Sequence, residues 1–412
     1  MNVIDVENQL GITFCDRLPL VAEYGKGSHV WDDKGARYLD FTAGWGVTCL
    51  GHAHPVITEA ISRQAGRILQ NPNSGFTYSP ARAALLLQLQ KCLPASLHQV
   101  YFTNSGTEAN DAAIKLARKL TGRIGIVSTL GSFHGRTFNA LSVSGGRHNT
   151  SRYLPIQQGT AFVAFGDADA VAVALDQDTA AVIVEPVQGE GGVRIPPPGY
   201  LARLGQLCRN NGSLLIVDEV QTGFCRTGKF FALEHEAEPV MPDILTLGKG
   251  IAGGFPLAAF AVSERVSAGI EKGDHGGTYS GNPLACAVAC AVVDFLQSRD
   301  VAALARQSGR HLLEGLQALQ RQAGGRIRAV RGLGLLTALE VGSDGDAWAI
   351  TRSCLSAGLL VTPTRNGIIR LIPSLLVEKQ EIDEALDILG RVLEAGTAPV
   401  AAASQAGIVC GS

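Results

Sequence analysis

From about residue 100, short runs rich in β-branched residues alternate with helix-forming stretches, and this alternation limits the possible folds more than any other feature. The runs are VYFTN (100–104), RIGIVS (123–128), AAVIVEP (180–186) and LLIVDE (214–219). Strands separated by helical stretches predict a largely parallel sheet with helices on both faces, an α/β architecture. One helix is marked by its own periodicity. In TEANDAAIKLARKL, Ala109, Ala112, Ala113, Leu116, Ala117 and Leu120 recur at helical spacing and make one apolar face.

Other stretches read differently. HVWDDKGARYLDF (29–41) predicts a hairpin around the turn Asp32-Asp33-Lys34-Gly35. After about residue 293 come amphipathic helices and a glycine-rich strand, GLGLLTALEV (332–341), as in a second, smaller domain. With 412 residues, 46% of them hydrophobic, the chain can bury a large core, and its 49 glycines suit many tight turns. The formal charge of −2 gives no electrostatic reason to expect nucleic acid or an anionic membrane as partner. No apolar run is long enough to span a bilayer. The first ten residues carry acids and amides where a signal peptide would be basic and then apolar. The nine cysteines include no C-x-x-C pair, and Cys286 and Cys290 read as core packing. The expected location is cytoplasmic.

Three motifs could carry chemistry. Asn104-Ser105-Gly106-Thr107-Glu108 lies between a strand and a helix, where free N–H groups and the helix dipole suit a phosphate. Ser105 and Thr107 add hydroxyls, although an ordinary N-cap reads the same way. Asp218, in IVDEVQ, closes a buried strand where open α/β sheets place ligands. It could pair with a cationic ring nitrogen, bind a metal, or serve in a cap or ion pair. Lys249, in LGKGIAGG, sits among small residues. Poor solvation would favour the neutral, carbonyl-attacking amine, while the alternative is an exposed lysine on a glycine loop. Together, a phosphate cradle, a strand-end carboxylate and such a lysine are the minimum site for pyridoxal phosphate. The lysine would form a Schiff base, and the acid would keep the ring nitrogen protonated.

These motifs, with LDFTAGWGVTCLGHAHP, FHGRT, VEPVQGEGG, VDEVQTGFCRTG, GTYSGNPLACA and RLIPSL, resemble the class III (ω-amino) aminotransferases, especially the acetylornithine and ornithine enzymes, over residues 24–392. The resemblance implies fold type I: a mostly parallel seven-stranded sheet in a large domain, and a smaller α+β domain from both chain ends. The corresponding division is 1–55 and 293–395 for the small domain and 56–292 for the large one, with residues 396–412 as a disordered tail. It further implies that Ser105, Gly106 and Thr107 hold the phosphate, Phe133 stacks on the ring, and Gln221 lies beside its phenolic oxygen. Thr278 would reach the phosphate of a neighbouring subunit, making the homodimer obligatory with shared sites. Arg136 and Arg370 would take substrate carboxylates by paired hydrogen bonds, with Glu185 as the switch that covers Arg370. His52 and His54 belong to the family's GHAHP and read as structural, while His134 could bound the pocket.

The chain departs from its apparent relatives at Trp45, where acetylornithine enzymes usually carry a smaller aliphatic residue in a segment lining the substrate entrance. Ser79 stands before Pro80 where relatives often have glutamate, and Tyr78 replaces a varied polar position. The implied reaction moves the ω-amino group of N2-acetylornithine or a similar donor to 2-oxoglutarate. Ornithine, 4-aminobutyrate, succinyl-diaminopimelate and other diamines remain alternative donors. An aminomutase, racemase or decarboxylase on the same fold remains an alternative reaction.

Overall fold

The structure, a computed structural model, describes residues 2–146, 153 and 159–395; the tail expected to be disordered lies outside the described residues. Near the N-terminus, β1 (Ala22–Lys26), β2 (His29–Asp32) and β3 (Arg37–Asp40) form an antiparallel meander. The expected hairpin is present. Its turn is held by the Asp32 carboxylate, which accepts from the N–H groups of Lys34 and Ala36.

The central sheet contains β4 (Leu97–Thr103), β5 (Gly125–Thr129), β6 (Thr160–Val163), β7 (Thr179–Val184), β8 (Leu214–Asp218), β9 (Ile244–Leu247) and β10 (Ala258–Ser263). Their order is β4-β10-β9-β8-β7-β5-β6. The stretch from β6 to β9 is parallel throughout, while β10 runs antiparallel to both neighbours, β9 and β4. Strands β7, β8 and β9 are buried along their whole length, which is why they read as unbroken apolar runs. Val182, Val184, Leu215 and Val217 feed the core on one face. Alternate residues Ala181, Ile183, Leu214 and Ile216 meet Ala112, Ala113, Leu116 and Ala117 of the helix Gly106–Thr121 on the other. Each such Val, Ile or Leu contributes about 1.5–3 kcal/mol on burial.

The helix Pro283–Ser298 packs on the helices Pro55–Ala65 and Pro80–Gln90 and buries Val292, Val293 and Leu296. The division expected at residue 293 therefore falls inside a helix. Beyond the helix Val301–Gln322 come β11 (Ala329–Leu333), β12 (Leu336–Glu340), β13 (Leu359–Leu360), β14 (Thr362–Thr364) and β15 (Ile368–Leu371). Four of them form an antiparallel sheet in the order β11-β12-β15-β14, while β13 joins β3 in parallel. Both chain ends thus share one small sheet. GLGLLTALEV is not one strand but the β11–β12 hairpin. Its Gly334 has φ +58°, and a Cβ there would lie 2.4 Å from the Thr227 carbonyl carbon, so only glycine makes the turn. Cys286 is buried and Cys290 half-buried in the core, and the described cysteines are all free.

Candidate active site

Because β7, β8 and β9 are parallel, their C-terminal ends deliver Glu185, Asp218 and Lys249 to one edge of the sheet. The N-terminus of the helix Gly106–Thr121 lies beside them: a Cβ on Gly106 would meet the Val220 side chain at 2.6 Å, so backbone alone fits there. Ser105 is the N-cap and accepts from Glu108 N at 3.4 Å, while Glu108 Oε2 accepts from Asn104 N at 2.8 Å. A helix of 16 residues aims its free amides and positive end into this corner, as an anion requires. Thr107 behaves differently from the expected hydroxyl donor. Its Oγ1 accepts from the backbone N–H of Arg136 (3.1 Å) and Thr137 (3.2 Å) and lies 2.8 Å from Thr137 Oγ1. That hydroxyl ties down the loop carrying Phe133 and Arg136, which leaves the Thr107 amide for a ligand.

Asp218 is 3% exposed. Its Oδ2 accepts from Asn110 Nδ2 at 2.7 Å and lies 2.8 Å from His134 Nδ1, while Oδ1 accepts from Val220 N at 3.0 Å. Asn110 is fixed in turn: it donates to His134 O and accepts from Thr246 Oγ1, both at 2.7 Å. Lys249 opens the short turn Lys249–Ala252 with φ +45°, a left-handed conformation that costs energy for a side chain with a Cβ. Burial pulls its amine down to about 8, against smaller opposing fields from Glu190, Asp218 and Glu185.

Arg370, on β15 and 1% exposed, reaches the same place. Its Nη1 donates to Gln221 Oε1 at 3.3 Å, and its Nη2 pairs with Glu190 Oε1 at 2.6 Å. The partner expected for Arg370 was Glu185, and the structure corrects this to Glu190. Glu185 remains at the end of β7, where it accepts from Phe133 N at 3.1 Å, and burial pushes its carboxyl up to about 7. VEPVQGEGG contains both acids, and only the three-dimensional course of Gly189–Gly192 sends the second one to Arg370. A Cβ on Gly189 would sit 1.4 Å from Gln221 Oε1, so any larger residue there displaces that amide. Gln221 Nε2 and His134 Nε2 are buried without a protein partner. A cluster with an unused amide donor, an anion corner, a fixed carboxylate and a poorly solvated amine fits a phosphorylated heterocyclic aldehyde.

The outer residues are less enclosed. Arg136 is exposed, with its guanidinium 5.9 Å from the centre of the half-buried Phe133 ring. Trp45 is 54% exposed and lies in a left-handed turn, since Ala43, Gly44, Trp45 and Gly46 all have positive φ. Asp40 holds the turn, accepting at Oδ1 from Thr42 N, Thr42 Oγ1 and Ala43 N, with His52 Nε2 2.8 Å from Oδ2. His54 accepts from Val56 N at 3.3 Å and caps the helix Pro55–Ala65. A Cβ on Gly46 would touch Ile372 at 3.4 Å, which sets the turn beside the Arg370 strand. Ser79 caps the helix Pro80–Gln90, with Tyr78 exposed beside it. Thr278 is not in this cluster; it is exposed on a loop whose carbonyl accepts from Ser74 Oγ at 2.6 Å.

Sequence reasoning missed Asn110, which sits on the buried helix face among alanines, and it passed over Glu190.

Comparison with known proteins identifies the family. The family model described as aminotransferase class-III matches residues 15–393. The acetylornithine aminotransferase of Methanothermobacter thermautotrophicus is 41% identical over 95% of this chain and 98% of its own. That of Methanopyrus kandleri is 44% identical over 92% and 95%. Among solved structures, the ornithine aminotransferase of Toxoplasma gondii superimposes with a TM-score of 0.89 at 34% identity, covering 95% of this chain and 94% of its own. The acetylornithine aminotransferase of Elizabethkingia anophelis gives 0.84 at 32% identity, covering 95% and 98%.

Proposed function

The chain belongs to the class III aminotransferases, and from that premise we propose that it moves the ω-amino group of N2-acetylornithine, or a close analogue, to 2-oxoglutarate. The observation that carries this reading is the Arg370–Glu190 pair beside Lys249, a carboxylate receptor that can be covered and uncovered. Pyridoxal 5′-phosphate, the cofactor, supplies an aldehyde that captures the amine and a ring that withdraws electrons from the substrate carbon.

The chain's own residues do the rest. The amides of Ser105, Gly106 and Thr107 would hold the phosphate, Asp218 would keep the ring nitrogen protonated, and Gln221 Nε2, buried without a protein partner, would donate to the phenolic oxygen. Phe133 would cover one ring face. Lys249 Nζ would hold the cofactor and, as a free amine, would carry the proton to and from the substrate carbon. With its amine at about 8, roughly a tenth is neutral at pH 7, far more than for a solvated lysine. Arg136 receives the donor's α-carboxylate. Glu190 covers Arg370 while the uncharged arm is present, then yields it to a carboxylate of the acceptor. An isomerase has one substrate and no use for such alternation.

The exposed rings of Phe76 (93%) and Tyr78 (99%), with Tyr279 (65%) next to Thr278, support a second copy covering this surface as an obligate homodimer. Thr278 would then reach the partner's phosphate. No described helix is long and apolar enough to cross a membrane. The free cysteines support a reducing, cytoplasmic setting.

The test is a donor panel: acetylornithine, ornithine, 4-aminobutyrate, succinyl-diaminopimelate and a plain diamine, each with 2-oxoglutarate. Acetylornithine is expected to give the highest kcat/KM. Absence of glutamate with cofactor-loaded protein would remove the donor assignment, and turnover without any oxo-acid would point to an isomerase.

A further inference from the structure

Arg226 is 2% exposed, and among the described residues no carboxylate forms an ion pair with it. Its Nη1 donates to two carbonyls, Leu335 O at 3.0 Å and Pro373 O at 2.6 Å, while its own carbonyl accepts from Leu335 N at 3.0 Å. A buried guanidinium without a counter-charge is costly, and an apolar residue would fill the space without that cost. What an apolar residue cannot do is hold two carbonyls from two different strand ends at once. Leu335 is the turn of the β11–β12 hairpin, and Pro373 lies three residues beyond Arg370. The same loop that carries Arg226 also carries Gln221, which accepts from the Arg370 guanidinium. One loop of the large sheet therefore holds the Arg370 segment through two side chains, Arg226 at Pro373 and Gln221 at Arg370 itself, and Arg226 also ties that segment to the β11–β12 turn.

We propose that Arg226 is a positioning residue for the acceptor half of the reaction, setting where Arg370 stands relative to Gln221 and Lys249. This rests on the reading above that Arg370 binds the acceptor's carboxylate. While the ω-amino donor is bound, Arg370 is covered by Glu190, so a small displacement of its strand matters little. When 2-oxoglutarate is bound, the guanidinium must meet a carboxylate in two parallel bonds, and a small displacement matters a great deal.

The two halves can be followed separately by absorbance in single-turnover mixing of the cofactor-loaded full chain. Arg226→Gln is expected to weaken 2-oxoglutarate binding about tenfold, the loss of one or two buried hydrogen bonds, while the acetylornithine half stays within about threefold. Arg226→Lys keeps the charge but not the fork and is expected to show the same one-sided loss; it carries the test should the glutamine variant not fold. Equal losses in both halves, or no loss in either, would overturn the proposal. If the wild type itself rejects 2-oxoglutarate, the functional reading fails instead, which the wild-type arm reveals before any variant is compared.

Discussion

Replacing Glu190 by glutamine keeps the size of the side chain but removes the charge that covers Arg370. The pair is 2.6 Å long, with the arginine side chain 1% and the glutamate 36% exposed, so its strength lies between two limits. Exposed pairs are worth up to about 1 kcal/mol, and losing one partner of a fully buried pair costs about 3–5 kcal/mol. A half-covered pair at this distance falls near 2 kcal/mol, a factor of about 30. On the proposed reading, an acceptor carboxylate has to displace Glu190 before it can use Arg370. Glu190→Gln should therefore lower KM for 2-oxoglutarate, by up to that factor. The ω-amino donor should lose kcat/KM, because its uncharged arm now meets an uncovered guanidinium. The assay is steady-state kinetics with each substrate varied in turn, plus glutamate as an alternative donor, which should gain. If the variant binds 2-oxoglutarate more weakly, or if both substrates move in the same direction, the pair is not a gate.

Lys249→Ala should abolish turnover and the borohydride-reducible absorbance of the attached cofactor; near-normal rates would remove Lys249 from the mechanism. Cofactor loading of the apoprotein should speed up as pH rises, because the neutral amine is the nucleophile, and should level off above about 8, where burial has brought Lys249. A loading rate still climbing at pH 10 would refute that. Gly189→Ala places a methyl where Gln221 Oε1 now lies and should loosen cofactor binding in equilibrium dialysis; unchanged binding would mean that Gln221 is dispensable. Asn110→Ala removes a hydrogen bond to Asp218 and the link to Thr246, so cofactor affinity should fall by about 1–3 kcal/mol. Wild-type affinity would mean that His134 and the Val220 amide hold the carboxylate unaided.

The residues legible in the sequence are those whose role is local. A glycine turn before a periodic helix marks an anion corner, an acid ending an apolar strand marks a sheet edge, and a lysine between glycines marks a close approach. Such signals located Ser105, Gly106, Asp218 and Lys249. The misses need distant partners. Glu185 and Glu190 are equivalent as text, and only the position of β15 selects Glu190. Asn110 hides on a face read as apolar, because its partners lie across the sheet at Asp218 and Thr246. The β11–β12 turn was invisible because Gly334 is required by contact with Thr227, more than a hundred residues away. Likewise nothing local distinguishes β10, antiparallel to both neighbours, from the parallel strands around it.

The left-handed turn beside the Arg370 strand separates two quantities that are usually linked. Shrinking a large side chain in a packed wall opens a void and weakens the protein. Trp45 is half in water, so its removal empties little of the interior, and its backbone sits where a Cβ costs about 1–2 kcal/mol. Glycine there would relieve that strain, roughly offsetting the chain entropy it adds to the unfolded state, about 0.5–1 kcal/mol. With Asp40 holding the backbone from outside, the size of the side chain at this position can drift over evolutionary time at nearly constant stability, so what the residue presents to the solvent and how well the chain folds are selected independently here.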